Sequence, residues 1–207
     1  MQHMSGAVKA VIFDFGGVLA EEGFRAGLEA IAIKNGLDSG HFYSRAEALV
    51  YSTGYVTGMA DEAEYWKALR DKTAITGSDD ELREEILKRF VLRPDMLSCV
   101  SELKGRGIKV AILSDQTNWL MEVDGRASFS TSFDHVFNSY TLGMSKREEG
   151  TFSKVCGMMG VQPGDTLFVD DNEGNVRRAA AEGLRTIHFM SFEDFARRLA
   201  EHGLERC

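Results

Sequence analysis

Short unbroken apolar runs alternate along this chain with longer stretches in which apolar residues fall every three or four positions. The runs are Val11-Ile12-Phe13, Val110-Ala111-Ile112-Leu113 and Leu167-Phe168-Val169, and the mixed segments His135–Asn138 and 185–189 are read as two further short strands. Such runs predict strands buried on both faces, as in a parallel sheet. The periodic stretches between them predict helices. One runs over 152–159 and stops at Gly160, another over 176–181 before Gly183, and 191–202 closes the chain. Pro94 opens a further helix through Leu97, Val100 and Leu103, which Gly105 and Gly107 end. Strands and helices in alternation predict an α/β fold, a Rossmann-like parallel sheet with helices on both faces and right-handed crossovers.

Between the first strand and Pro94 the alternation fails. Phe24, Leu28 and Ala32, followed by the Asn35-Gly36 stop, predict one helix, and 41–51, ending before Gly54, a second. Asp61 with Glu64, and Ser78 with Glu81, have the spacing of capping boxes, opening helices that bury Trp66 and Leu69, and Leu82, Ile86 and Phe90. The expected organisation is a core formed by residues 6–20 and 93–207, with a small all-helical insert over 21–92. Met1 to Met4 show no pattern and are left out of this reading.

Candidate chemistry lies where the strands end. The first run passes into Asp14-Phe15-Gly16-Gly17, the second into Ser114-Asp115, and Thr166–Asp170 into Asp170-Asp171-Asn172, while Lys146 sits in a loop just before a helix. Ligands of open α/β sheets bind at the carboxyl ends of the strands. Each signal has a plain structural alternative. An Asp after a strand is often a turn or cap residue, adjacent carboxylates can serve a helix N-terminus, and Asp115 can cap a helix before Trp119 and Leu120.

Taken in order, Asp14, Ser114, Lys146 and Asp170-Asp171 resemble the four motifs of the haloacid dehalogenase (HAD) superfamily, over nearly the whole chain. The resemblance implies the HAD core, with the helical insert as a C1-type cap, and makes Asp14 the nucleophile. It also implies that Lys146 holds Asp14 and the phosphoryl oxygens and that Ser114 donates a hydroxyl hydrogen bond. Phe15, Gly16 and Gly17, through their amides, would bind phosphate together with Ser114, Asp115 and Lys146. The carboxylates of Asp14, Asp170 and Asp171 and the carbonyl of Gly16 are oxygen ligands suited to Mg²⁺. The expected activity is phosphomonoester hydrolysis through an aspartyl phosphate, on a small phosphorylated substrate.

One position departs from the family. HAD phosphatases usually carry a second Asp two residues after the nucleophile, which protonates the leaving group, and here that residue is Gly16. Losing a general acid costs roughly 10²–10⁴-fold in rate, about 3–5 kcal/mol of barrier. The Asp-x-Gly motif is similar to that of α-glucose-1-phosphate phosphatases, whose leaving group needs little protonation. Two other readings follow: a dehalogenase, which needs no acid there but does not use the acidic pair, and a HAD scaffold that binds without turnover. Asp115, Glu21 or a residue of the insert are the alternatives for a replacement acid.

Composition narrows the partners. The net charge of -8 over 207 residues, with no basic run interleaved with aromatics, argues against nucleic acid. No apolar run approaches the ~20 residues needed to cross a membrane, and no signal peptide is expected before the first strand. Cys99, Cys156 and Cys207, an odd number set far apart, are expected to be reduced thiols, in keeping with a cytoplasmic monomer or homodimer. The five histidines are equally scattered and form no metal-ligand spacing. In the insert, His41, Tyr43, Tyr51, Tyr55 and Trp66 include candidate specificity residues, most of them expected in the core.

Overall fold

The computed structural model describes residues 6–205 and 207. One sheet contains the five strands β1 (Ala10–Phe13), β2 (Lys109–Ser114), β3 (His135–Asn138), β4 (Thr166–Asp170) and β5 (Arg185–His188). All pairings are parallel, in the order β3-β2-β1-β4-β5. The chain therefore starts in the middle of the sheet, builds outward to one edge, and returns to build toward the other. Such a reversal is where open α/β sheets bind ligands, and it falls at β1, whose next residue is Asp14.

Successive strand residues face opposite sides, and the core divides accordingly. Val11, Phe13, Val110, Ile112, Leu167 and Val169 belong to one cluster, and Ala10, Ile12, Ala111, Leu113 and Phe168 to the other. The insert comprises α1 (Gly23–Lys34), α2 (Ser39–Ser52), α3 (Glu62–Lys72) and α4 (Asp79–Leu87), and α5 (Pro94–Gly105) follows. Beyond β2 come α6 (Trp119–Ala127), the short α7 (Ser139–Leu142) after β3, α8 (Thr151–Met159), α9 (Glu173–Ala181) and α10 (Phe192–Leu199). Helices α5, α6 and α10 supply the first cluster through Val100, Leu120 and Phe195, and α8 and α9 the second through Phe152 and Ala179.

Both capping boxes form as their spacing predicts, at Asp61 with Glu64 and at Ser78 with Glu81. Helix α2 starts before His41 because Asp38 accepts the His41 N–H at 2.8 Å. Helix α9 starts at Glu173, ahead of the apolar period, because Asn172 accepts from the amides of Gly174 and Asn175. The insert adds its apolar faces to the first cluster of the sheet, where Tyr55, Tyr65 and Trp66 pack around Trp119. Insert and sheet thus share one continuous hydrophobic core.

The expectation of three reduced thiols is corrected. Cys99 on α5 and Cys207 form a disulfide, with Cα atoms 5.1 Å apart. Their separation of 108 residues hides that the end of the chain returns to α5, within the range a disulfide can span. Cys156 is a buried free thiol. Met1 to Met4 lie outside the described residues. Among those residues, no helix is long and apolar enough to cross a membrane.

Candidate active site

The strand register sets two carboxylates side by side. Phe13 is level with Val169, so Asp14, the first residue beyond β1, stands beside Asp170, the last residue of β4, and the Asp14 amide donates to the Val169 carbonyl at 2.9 Å. Asp14 Oδ1 accepts from the Phe15 amide at 2.7 Å. Asp14 Oδ2 lies 2.9 Å from Lys146 Nζ, which also donates to Asp170 Oδ2 at 2.7 Å. Lys146 and Asp170 are almost fully buried. Burial opposes the charge on Lys146, but Asp14 and Asp170 outweigh it and hold the ammonium above its ordinary pKa. The carboxyl of Asp14 is pushed well above its usual range by burial, with repulsion from Asp170 and Asp171 adding to the effect and Lys146 opposing it. Asp171 is raised for the same two reasons, burial first and then Asp170.

The loop bearing Lys146 is clamped from both sides. Its amide donates to Asp115 Oδ1 at 2.8 Å, and its carbonyl accepts from Arg178 Nε at 3.0 Å. Arg178 also donates to Asn175 Oδ1, while Asn175 Nδ2 donates to Asp170 Oδ2 at 3.0 Å. Asn175 and Arg178 are residues that reading the sequence missed. The signal was their three-residue spacing on the helix after the acidic pair, which puts both on one face. Asp115 does not cap α6, since its other oxygen accepts from the Tyr51 hydroxyl of the insert at 3.1 Å.

The donor set suits a hard divalent cation. Asp14, Asp170 and Asp171 each offer an oxygen, all within 4.8 Å of one another. A carboxylate has about four acceptor positions. Asp170 uses three of them, on Lys146, Asn175 and the Asn172 amide, and Asp14 uses two. Acceptor capacity is therefore left over where three acids meet one lysine, an imbalance that oxygen-coordinated Mg²⁺ would correct.

The loop after Asp14 turns tightly at Gly17, whose φ is +81°. A Cβ there would lie 2.1 Å from Asp171 Oδ2, so only glycine lets the loop pass beside the acidic pair. Gly16 has no such constraint on φ. A Cβ on it would stand 3.3 Å from Glu22 Oε1 and 3.4 Å from the Phe90 ring. A cavity of about 250 Å³ opens here, bounded by Asp14, Gly16, Ser114 and Lys146 below and by Glu22, Phe24, Tyr43 and Tyr51 of the insert above. Burial pushes the Glu22 carboxyl up, against the Arg25 amide that stabilises its anion. Burial likewise raises the Tyr43 hydroxyl, to about 12. Of the aromatic candidates, Tyr43 and Tyr51 line the cavity, Tyr55 and Trp66 are core, and His41 is exposed elsewhere.

A model of the haloacid dehalogenase-like hydrolase family matches residues 8–183, from the strand before Asp14 to beyond the acidic pair. The chain belongs to that family. Enolase-phosphatase E1 of Klebsiella pneumoniae is 30% identical over 101 residues, covering 48% of this chain and 44% of its own length. The drimenol cyclase drtB of Aspergillus calidoustus is 35% identical over 164 residues, covering 73% of this chain and 31% of its own length. The chain thus spans less than half the length of these two relatives. Among solved structures, the HAD family enzyme BT-2542 of Bacteroides thetaiotaomicron superposes with a TM-score of 0.76 at 22% identity, covering 93% of this chain and 98% of that one. The same enzyme in complex with magnesium and inorganic phosphate superposes at 0.72, with 21% identity and coverage of 92% and 98%.

Proposed function

We propose that this hydrolase is a Mg²⁺-dependent phosphomonoesterase that works through an aspartyl phosphate on Asp14, with a small phosphorylated metabolite as substrate. The observation that carries the reading is the convergence of Asp14, Lys146, Asp170 and Asp171 within hydrogen-bond and ligand distance at the middle of the sheet. In this reading residues 21–92 act as a cap over a core of 6–20 and 93–207. The magnesium complex of BT-2542 and the phosphatase among the relatives support it.

Phosphoryl transfer demands alignment and charge compensation more than covalent chemistry. Asp14 attacks phosphorus in line with the leaving oxygen, and Lys146 keeps its carboxylate aimed and balances charge on the phosphoryl oxygens. The Ser114 hydroxyl and the amides of Gly16 and Gly17 hold those oxygens, the expected Phe15 amide being taken instead by Asp14 Oδ1, and Asp115 fixes the loop that presents Lys146. Asp14, Asp170, Asp171 and the Gly16 carbonyl would hold Mg²⁺, which supplies positive charge to an otherwise acidic site. The size of the cavity favours a small ester. The acidic pair disfavours halide displacement, for which no cation is needed. A panel of phosphate esters assayed with Mg²⁺ tests the reading, with Asp14→Asn as control. The expected result is turnover by wild type and none by the variant, and equal rates for the two would refute it.

A further inference from the structure

The site as described has no donor for the leaving oxygen, because residue 16 has no side chain. We propose that Glu22 supplies that proton and takes it back from water, filling from the insert the place left by Gly16. The inference rests on the phosphomonoesterase reading above.

Geometry selects Glu22 from the carboxylates nearby. Asp115 has both oxygens engaged, by the Lys146 amide and the Tyr51 hydroxyl. Glu47 is paired with Arg147 at 2.7 Å. Glu21 turns outward to Arg93, and its side chain is 59% exposed. Asp171 belongs to the acidic group beside Asp14. Glu22 remains. Its Oε1 lies 3.3 Å from where a Cβ on residue 16 would be, nearer than any other atom outside that loop, and it lines the same cavity as Asp14.

The backbone explains how a glutamate comes to be there. Residue 22 is the N-cap of α1, a position that favours Asp, Asn, Ser or Thr. Glu22 Oε2 does the capping, accepting the Arg25 amide at 3.0 Å. The longer side chain leaves Oε1 reaching toward Gly16. Gly23 then packs directly on Phe90, where a Cβ would meet the ring at 2.6 Å, and this holds the start of α1 against the Asp14 loop.

The step balances. Asp14 bonds to phosphorus, the ester phosphorus–oxygen bond breaks with its electron pair on the leaving oxygen, and the Glu22 carboxyl proton passes to that oxygen. Glu22, now anionic, takes a proton from water as the water oxygen bonds to phosphorus. The bond to Asp14 breaks, leaving phosphate, a restored Asp14 carboxylate and a protonated Glu22.

The test compares wild type with Glu22→Gln, whose amide oxygen can still accept the Arg25 N–H and so keep the cap. With Mg²⁺, glycerol 3-phosphate hydrolysis should fall ~10²–10⁴-fold in Glu22→Gln. With p-nitrophenyl phosphate, whose leaving group needs no proton, the first nitrophenolate should be released at the wild-type rate and the following turnovers should slow, giving a burst. Glu22→Ala should lose glycerol 3-phosphate turnover in the same way, and Gly16→Asp combined with Glu22→Ala should recover it. Equal losses in the burst and on both esters, or no loss on glycerol 3-phosphate, would overturn the role of Glu22. Wild type inactive on both esters would instead remove the phosphomonoesterase reading beneath it.

Discussion

Lys146 Nζ lies 2.7 Å from Asp170 Oδ2, and both side chains are sealed from solvent, with exposures of 2% and 0%. Removing one member of a buried pair strands the other, at about 3–5 kcal/mol. Lys146→Met should therefore destabilise the protein by that order, leaving Asp14 and Asp170 facing one another uncompensated. Asp14→Asn removes one of three crowded acids and leaves Lys146 paired with Asp170, so its thermal midpoint without Mg²⁺ should equal or exceed that of wild type. Denaturant unfolding of the two variants checks the contrast, and a stable Lys146→Met would contradict it.

Cation binding should appear as stability before any assay of turnover. A ligand that binds only the native state contributes RT ln(1 + [L]/Kd), about 2.7 kcal/mol at a hundredfold excess over Kd. The melting midpoint should rise with Mg²⁺ concentration, and the rise should vanish in Asp171→Ala. A midpoint indifferent to millimolar Mg²⁺ would count against the metal site.

Glu22 should leave a mark on the pH dependence of stability. Burial raises its folded pKa above the unfolded value, so between the two values the native state holds more proton than the unfolded chain. By linkage, stability is then lost as pH rises from the ordinary glutamate value through the raised one. Glu22→Gln does not titrate. Its advantage in melting temperature over wild type should be smallest near about pH 4 and grow toward neutrality, and a difference flat with pH would show that Glu22 titrates normally.

Tyr65 offers a control outside the lining of the cavity. Its hydroxyl and the Trp119 indole N–H are buried with no hydrogen-bond partner in the structure. A buried hydroxyl without a partner costs free energy, so Tyr65→Phe should be neutral or stabilising, by up to about 1–3 kcal/mol, with catalysis unchanged. A clear loss of stability would mean that the hydroxyl has a partner, such as an ordered water.

The elements legible in the sequence are those encoded locally. Each strand before a motif is an unbroken apolar run, and both capping boxes sit within four residues, so β1, β2, β4, α3 and α4 fall where the pattern places them. What escaped depends on contacts between distant segments. Asp115 has the composition of a helix cap or a ligand, yet its oxygens are taken by Lys146 and Tyr51, 31 and 64 residues away. Glu21 and Glu22 are indistinguishable by type, and only the path of the backbone, tied to Val91 at Glu21 and entering α1 after Glu22, sends one to Arg93 and the other to Gly16. The disulfide was hidden for the same reason, since spacing along the chain says nothing about where its end returns.

That disulfide closes residues 99–207 into a covalent ring. Everything after Cys99 in α5, including Ser114, Lys146 and the acidic pair, lies inside the covalent circle closed with Cys207, while β1, Asp14 and the whole insert lie on the open arm. In the chain-entropy picture, closing a circle of this size removes on the order of 4–5 kcal/mol of freedom from the unfolded state. The arm shares the benefit only through the sheet, by threading β1 between β2 and β4. A protease cut inside the ring would leave its ends tied, whereas a cut in the insert would leave the strand that carries Asp14 held by hydrogen bonds and packing alone.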